Sequence, residues 1–296
     1  MYNIDDIKNT VIHGDSEAEL KKIPDESIDC VIIDPPYNLL KHKLDRAFNR
    51  ELIYKELYRV LKNNSFLVVF GSGLQLCKDI VMLNKIGFNV KEECIWAKNS
   101  TTNFMSNLPR RHESFYILSK GNKPINKCYI DYFENCVNEK KIEKLFNTYK
   151  RIQSGLKNKE ELEAIKKYIE DGIIEYNGSA RKNGIIANSS VKHTYRSVDC
   201  IRLLIRGFVE NTCMFINKNS IDKEHETQKP IELMSRIIKL VSNEDDIILD
   251  CFAGSGSTLL GAIKNNRNYI GIEIDKEYYD ICCDRIKEKQ GLFAGV

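Results

Sequence analysis

Residues 247–258 read Ile-Ile-Leu-Asp-Cys-Phe-Ala-Gly-Ser-Gly-Ser-Thr and carry the clearest fold signal of the chain. The apolar start predicts a strand at Ile247–Asp250, and a helix is predicted from Thr258, with Gly254 and Gly256 in the tight turn between them. Glycine lets ligand atoms approach the backbone, and this order of strand, turn and helix is typical of nucleotide-type pockets. The stretch therefore predicts an α/β fold with a ligand site at the carboxyl end of this strand.

A carboxylate lies on the next predicted strand, Tyr269–Ile274. Glu273 near its end can accept hydrogen bonds from both hydroxyl groups of a ribose, which favours an adenosine-containing ligand. The turn lacks the third glycine of dinucleotide-binding proteins. By itself it leaves open a purely structural turn, and it does not separate a dinucleotide from other adenosine cofactors.

Apolar β-branched runs alternate with amphipathic stretches at both ends of the chain. This alternation predicts a doubly wound, mostly parallel sheet. Strands are predicted at Val11–His13, Cys30–Ile33, Phe66–Phe70, Lys91–Trp96 and Ser114–Leu118, and helices at Asn49–Leu61, Leu74–Ile86, Pro230–Val241 and from Lys276 onward. Residues 1–119 and 221–296 are therefore predicted to form one domain that is interrupted by residues 120–220.

The interrupting segment differs from the rest of the chain in charge. Residues 120–220 hold 19 Lys and Arg against 12 Asp and Glu, whereas the whole chain holds 45 and 42. A helical hairpin rich in Lys and Glu is predicted at Glu139–Asp171, followed by a stretch rich in Gly, Asn and Ser. The segment is predicted to be a basic inserted domain.

Composition excludes several classes of protein. With 42% hydrophobic and 29% charged residues, no long apolar stretch and no secretory signal, the chain is expected to be a cytoplasmic globular protein with no membrane partner. The ten cysteines are scattered without a CxxC pair, and the five histidines are isolated from one another. Reduced thiols and no metal site are therefore expected.

The motif Asp34-Pro35-Pro36-Tyr37 directly follows the predicted strand Cys30–Ile33. Proline has no N–H and a fixed φ, so this stiff turn leaves carbonyl groups available to a ligand. Asp34 and the Pro35 carbonyl can both accept from an exocyclic amino group, and Tyr37 offers a ring face to a flipped base. These four residues are predicted to be catalytic; the alternative is a prolyl turn with a surface tyrosine.

The two motifs together resemble those of the DNA amino-methyltransferases that use S-adenosyl-L-methionine. The catalytic motif comes first, the basic segment next and the cofactor motif last, an order that resembles the circularly permuted β group of that family. Further matches are Gly14-Asp15, Trp96-Ala-Lys98, Arg110-Arg-His-Glu113 and His225-Glu-Thr-Gln-Lys-Pro230. Glu226 stands where the family usually has proline. The resemblance implies a Rossmann-like methyltransferase fold with an inserted target-recognition domain, and double-stranded DNA as the substrate.

The resemblance also implies roles for residues at matching positions. Asp15 is expected to hold the adenine amino group of the cofactor and Glu273 its ribose, while Thr227 and Lys229 close the pocket. The methionine part is expected to contact Asp250, Phe252, Ala253, Gly254, Ser255 and Gly256, with Asp34 also beside the cofactor. Asp34 would mainly orient the target nitrogen, and no cysteine nucleophile is required.

Sequence-independent DNA contacts require cations. The expected ones are Arg110, Arg111, Arg181, Lys182, Lys192 and Arg196. Each of them singly is also consistent with a solvated surface charge. A homodimer and a cognate restriction endonuclease that shares the recognition sequence are further partners that the resemblance leaves open.

Asp rather than Ser at position 34 favours adenine N6 as the target, with cytosine N4 as the alternative. An NAD-dependent oxidoreductase would explain the glycine turn and Glu273, but it gives no role to residues 34–37 or to the basic segment. A DNA-binding protein without catalysis would not need the cofactor motif. RNA is a further alternative substrate.

Overall fold

The computed structural model describes residues 1–36, 48–98, 107–108, 110–130, 147–150, 152–153, 163, 166, 208–216 and 228–293. The chain divides into two compact units, the first formed by Met1–Cys128 with Asn211–Val296 and the second by Tyr129–Glu210. The second unit contains a two-stranded antiparallel ladder. The predicted hairpin at Glu139–Asp171 lies almost entirely outside the described residues.

The first unit is built on one eight-stranded sheet with the order β1-β10-β9-β2-β3-β5-β4-β8. In chain order, the strands of both units are β1 (Thr10–His13), β2 (Ile28–Ile33), β3 (Leu61–Gly71), β4 (Asn89–Ala97), β5 (His112–Lys120), β6 (Tyr129–Ile130), β7 (Phe208–Val209), β8 (Cys213–Phe215), β9 (Ile247–Asp250) and β10 (Asn268–Glu273). The helices with described bounds are α1 (Ile4–Ile7), α2 (Ser16–Glu19), α3 (Arg50–Val60), α4 (Gly73–Ile86), α5 (Ile231–Val241), α6 (Ser257–Lys264) and α7 (Lys276–Phe293). A 3-10 turn, Leu20–Lys22, follows α2.

Strands β1, β10, β9, β2 and β3 run parallel to one another, and only β5 is antiparallel to its neighbours within this described sheet. The registers align Glu273 with His13, and Asp250 with Gly271. The carboxyl ends of β1, β10, β9 and β2 therefore share one edge of the sheet, where ligands of such folds bind. The mostly parallel α/β fold predicted from the sequence is confirmed.

The central strands are buried on both faces, and their side chains alternate between two cores. Phe66, Val68 and Phe70 of β3 pack in the core that contains α5 and α6, whereas Leu67 and Val69 pack in the core that contains α3 and α4. Burial of each such side chain contributes about 1.5–3 kcal/mol. The well-packed sheet thus holds the ends of the loops at its carboxyl edge in fixed positions.

Strand β8 changes the predicted boundary of the insertion. Residues 120–220 were all expected in the inserted domain, but β8 pairs with β4 in the main sheet. The backbone N–H of Asn126 also donates to the carbonyl of Leu240 at the end of α5, at 2.8 Å. A strand of three residues is too short to show a period of two, so its sequence carried no strand signal. The compact unit inside the chain is therefore Tyr129–Glu210, and its role stays a prediction.

Within the described residues, no helix is long and apolar enough to cross a membrane. The eight described cysteines are free thiols, and burial raises the pKa of Cys282 to about 12. The residues that the structure describes contain no group of three or more His, Cys, Asp or Glu side chains that could hold a metal ion.

Candidate active site

A cavity of about 340 Å³ lies at the carboxyl edge of β1, β10, β9 and β2. Its lining comes from the loops that follow these strands and from the segment before α5. The polar residues among them include Asp15, Asp34, Gln228, Lys229, Asp250, Ser257 and Glu273. Residues from both predicted motifs therefore face one space.

The glycine turn after β9 depends on backbone conformations that other residues rarely adopt. Gly254 has φ of +50° and Gly256 has φ of +80°, both in the left-handed region. A Cβ atom on Gly256 would come within 2.5 Å of Cys282 Sγ on α7. The turn can thus begin α6 and pack against α7 only because position 256 has no side chain.

Glu273, only 7% exposed, is held by backbone N–H groups. The N–H of Gly254 donates to Oε2 at 2.7 Å, and the N–H of Asp275 donates to Oε1 at 2.8 Å. A carboxylate has about four acceptor positions, so two such bonds fix its orientation and leave capacity for ligand hydroxyl groups. The hydrogen bond from Gly254 to Glu273 therefore links the glycine turn after β9 to the end of β10.

Asp250 is buried at the base of the same turn. Burial raises the pKa of its carboxyl to about 7, hydrogen bonds from Thr258 and from the Phe252 N–H act against that rise, and the charges of Asp34 and Glu273 add to it. The Phe252 N–H donates to Oδ1 at 3.0 Å. A cation in the cavity would favour the ionised form of this group.

Two further buried atoms point to a polar ligand. Ser257 Oγ and Gln228 Oε1 have no hydrogen-bond partner among the described residues, and both residues line the cavity. Buried polar atoms without partners are costly, which favours a ligand that supplies them. Asp15 is exposed at the rim, where it caps α2 by accepting from the Glu17 N–H at 2.9 Å.

Asp34, which lines the same cavity as the glycine turn, belongs to a network of charged side chains. Lys229 Nζ donates to Asp34 Oδ2 and lies 3.1 Å from Glu113 Oε2. Lys98 Nζ donates to the other oxygen of Glu113. The Lys229 and Lys98 side chains are only 8% and 4% exposed.

Positive and negative charges alternate through this network, which is the condition under which buried charges are tolerated. The ammonium groups also lie over aromatic rings, Lys229 at 4.9 Å from the Phe70 centroid and Lys98 at 4.6 Å from that of Trp96. Burial alone would raise the pKa of Glu113, but the nearby charges of Lys229 and Lys98 outweigh burial and lower it to about 2. Glu113 is therefore a permanent anion between two lysines.

Residues 28–284 match the profile of the N6 and N4 methyltransferases, described as DNA methylases. The chain belongs to the DNA methylase family. The match spans both motifs, the charged network and the segment between them.

Named relatives of this DNA methylase agree with that result. It is 30% identical to the DNA adenine methyltransferase YhdJ of Escherichia coli (strain K12), over 91% of this chain and 79% of YhdJ. It is 28% identical to the type II methyltransferase M.HinfI of Haemophilus influenzae, over 97% and 70% of the two chains.

Solved structures share the fold at lower identity. The crystal structure of the M1.HpyAVI-SAM complex is 19% identical with a TM-score of 0.56, covering 94% of this chain and 98% of that one. The cytosine-N4-specific PvuII DNA methyltransferase is 15% identical with a TM-score of 0.57, covering 97% and 91%. Both likenesses concern the fold of the DNA methylase.

The structure brings together most residues of the predicted cofactor site. Asp15, Asp34, Asp250, Glu273 and the turn at 252–255 line the cavity. Lys229 lines it too, but its ammonium contacts Asp34 and Glu113, a pairing that the sequence did not predict.

Other predicted residues do not line the cavity or lie outside the described residues. Gly256 packs against Cys282, and Arg110 donates to Ser72 Oγ, directly after the carboxyl end of β3. The predicted residues that lie outside the described part are Tyr37, Arg181, Lys182, Lys192, Arg196 and Thr227.

Sequence reasoning assigned no role to Lys98, Glu113 or Arg50. The first two stood in segments that matched the family, but no local pattern indicates that they pair. Arg50, on α3, carries no sequence signal at all, since it looks like any cation near the start of an amphipathic helix.

Proposed function

We propose that this DNA methylase transfers a methyl group from S-adenosyl-L-methionine to the N6 amino group of adenine in double-stranded DNA. The observation that carries the proposal is the shared cavity: the carboxylate of Asp34 faces the same space as the glycine turn and Glu273. An amino-group acceptor and a ribose acceptor on one cavity are what a methyl transfer between an adenosine cofactor and a base amino group needs. The naming of YhdJ as an adenine enzyme supports adenine.

The cavity fits this cofactor. Glu273 would accept from the ribose hydroxyls, and Asp15 at the rim from the adenine amino group. Asp250 would attract the cationic end of the methionine part, and the unpaired oxygens of Ser257 and Gln228 would gain partners there. When bound, S-adenosylmethionine supplies a methyl group made electrophilic by its sulfonium.

The protein's part in the reaction is to orient the target. The lone pair of an exocyclic amino group is delocalised into the ring of the base, so the nitrogen is a poor nucleophile. Hydrogen bonds from this group to Asp34 and to the Pro35 carbonyl would direct the nitrogen at the methyl group. Lys229 contacts Asp34 and supplies the positive charge that balances it in this acidic cavity. Tyr37 would stack on the flipped base.

We also propose that the segment 120–220, with the compact unit Tyr129–Glu210 at its centre, recognises the target sequence. Its excess of cations supports phosphate contacts by Arg181, Lys182, Lys192 and Arg196, with Arg110 and Arg111 nearer the catalytic residues in the chain. The order of motifs supports membership of the β group. A homodimer, action in the cytoplasm and a cognate restriction endonuclease complete the proposal; the last is supported by the naming of M.HinfI as a type II methyltransferase.

Mass spectrometry of nucleosides tests the base. Genomic DNA is incubated with the protein and S-adenosylmethionine, with an Asp34→Ala variant as the control, and then digested. N6-methyladenine in the sample and far less of it in the control supports the proposal. N4-methylcytosine alone would assign the alternative base, and no methylated base at all would reject methyl transfer to DNA.

A further inference from the structure

Arg50 contacts the catalytic motif but does not line the cavity. Arg50, near the start of α3, donates from Nη2 to the carbonyl of Pro36 at 2.5 Å. Proline has no N–H, so its carbonyl is the one backbone polar group by which this residue can be held. Pro36 lies two residues beyond Asp34, and its position therefore limits where Asp34 can lie.

The guanidinium is itself fixed from two helices. Nη1 of Arg50 lies 2.8 Å from Asp79 Oδ2 on α4, and it donates to the Tyr54 hydroxyl at 3.3 Å. The Asp79 and Arg50 side chains are 3% and 11% exposed. Gln75 Nε2 donates to the second oxygen of Asp79 at 2.9 Å. Because these contacts fix the guanidinium of Arg50, its bond to the Pro36 carbonyl can hold the catalytic motif in place.

A ring contact extends the arrangement to the cofactor side. The guanidinium carbon of Arg50 lies 4.6 Å from the centroid of the Phe48 ring, and the rings of Phe48 and Phe252 are 5.0 Å apart. Phe252 belongs to the glycine turn, and both rings line the cavity. Arg50 therefore contacts the catalytic motif directly and the cofactor turn through one aromatic ring.

We propose that Arg50, fixed by Asp79, is a positioning residue that sets the catalytic motif at its reactive distance from the cofactor turn. The proposal rests on the proposed methyl transfer. A purely structural ion pair needs only Nη1 and Asp79, whereas the bond from Nη2 to Pro36 goes to the reactive motif. The planar fork of arginine makes the two contacts from two nitrogens in a fixed geometry, whereas lysine offers one nitrogen on a flexible chain and cannot reproduce that geometry.

The test compares two arginines of one helix, each changed to lysine. Arg59, also on α3, pairs with Glu56 and donates to the carbonyls of Leu20 and Ile23, and it does not line the cavity. The measurements are kcat for methyl transfer to genomic DNA, cofactor affinity by calorimetry, and Tm. Asp79→Asn, which keeps Arg50 but loosens it, is the second variant.

Arg50→Lys is expected to lower kcat by about 10- to 100-fold, because a displacement of about 1 Å at a reacting centre has an effect of that size. Its cofactor affinity should stay within about threefold, since the residues that hold the cofactor are unchanged. Asp79→Asn should lower kcat less, and Arg59→Lys should lower Tm while leaving kcat of the folded enzyme unchanged.

A folded Arg50→Lys enzyme with kcat within twofold of the parent overturns the inference. So does an equal loss of kcat in Arg50→Lys and Arg59→Lys, which would mean a structural role for both. If Arg50→Lys does not fold, unchanged kcat in Asp79→Asn overturns it and a lowered kcat supports it. Full activity of Asp34→Ala in the same assay would instead reject the proposed function.

Discussion

Two groups of residues that line the cavity are held in place by different means. We call the turn at 252–255 with Glu273 the cofactor wall, and Asp34 with Lys229 the target wall. Backbone conformation and backbone hydrogen bonds fix the cofactor wall. Gly254 and Gly256 adopt left-handed conformations, and Glu273 accepts hydrogen bonds from two backbone N–H groups. On the target wall, Asp34 is held by the ammonium group of Lys229, which also contacts Glu113. Both residues come from parts of the chain that are distant from Asp34. The cofactor wall should therefore be sensitive to a change of shape, and the target wall to a change of charge.

The largest expected effect is on the target wall. Asp34→Ala removes the acceptor that orients the amino group, and loss of one preorganised electrostatic partner typically lowers kcat by about 100- to 1,000-fold. The cofactor should still bind, because the cofactor wall is intact. Single-turnover methyl transfer and calorimetry on the same preparation measure both. Comparable losses of kcat and of cofactor affinity would contradict the separation of the two walls.

Glu113→Gln leaves two buried ammonium groups with one carboxylate fewer. We expect it to lower the free energy of unfolding by about 1–3 kcal/mol at neutral pH, the cost of an uncompensated buried group. The pKa of Glu113 is about 2 in the folded protein and near 4.5 when unperturbed. Its contribution is thus fully present above about pH 4.5 and is lost as the pH falls toward 2.

Urea unfolding of the parent and of Glu113→Gln between pH 7 and pH 3 measures this difference. Glu51→Gln is the matched control, because Glu51 forms an exposed pair with Lys55 on α3. The control should cost less than about 1 kcal/mol. A constant difference between parent and Glu113→Gln across the pH range would mean that the charge of Glu113 is not what stabilises the network.

Glu273→Gln changes the charge of the cofactor wall with almost no change of shape, so its effect should be smaller than that of Asp34→Ala on the target wall. One of the two backbone N–H groups would face an amide NH2 group, and the ribose would lose a charged acceptor. We expect cofactor affinity to fall by about tenfold, the size of one charge-assisted hydrogen bond. Calorimetry with S-adenosylmethionine measures the change, and unchanged affinity would remove Glu273 from the ribose site.

The smallest effect concerns pH. The pKa of Asp250 is about 7 in the free protein, so this carboxyl is protonated below that pH and must lose a proton to attract a cationic cofactor. Affinity should therefore fall by about tenfold between pH 8 and pH 6, at most one factor of ten per pH unit. Asp250→Asn should bind more weakly and without this pH dependence. The same pH dependence in both proteins would assign it to another group.

The placement of the glycine turn at a cavity could be predicted from the sequence because the parts of this turn are nearly contiguous. Strand, turn and helix occupy residues 247–264, and each has a local signal. Asp34 was predicted from the double proline next to it, and Lys229 only through the family resemblance. Membership of the family and the mostly parallel sheet were both predicted correctly.

The charged network could not be predicted because it depends on strand register. Strand β5 runs antiparallel to β4, with Trp96 opposite Glu113, and this register brings Lys98 next to Glu113. No local pattern specifies that pairing. The contact from Arg50 to Pro36 likewise depends on how α3 packs against the sheet, and β8 was missed because a strand of three residues has no visible period.

The position of β2 in the sheet has a consequence for synthesis of the protein. This strand, which leads to Asp34, lies between β3 and β9, and the Ile247 N–H donates to Asp29 Oδ2 across 218 positions of the chain. A nascent chain can pair β2 with β3 early, but the opposite edge stays open for roughly 10 to 40 s at ordinary translation rates. An apolar strand with an open edge is a template for aggregation. Chains that end before residue 247 should therefore aggregate, and the full chain should gain most from chaperones during the interval between synthesis of β3 and synthesis of β9.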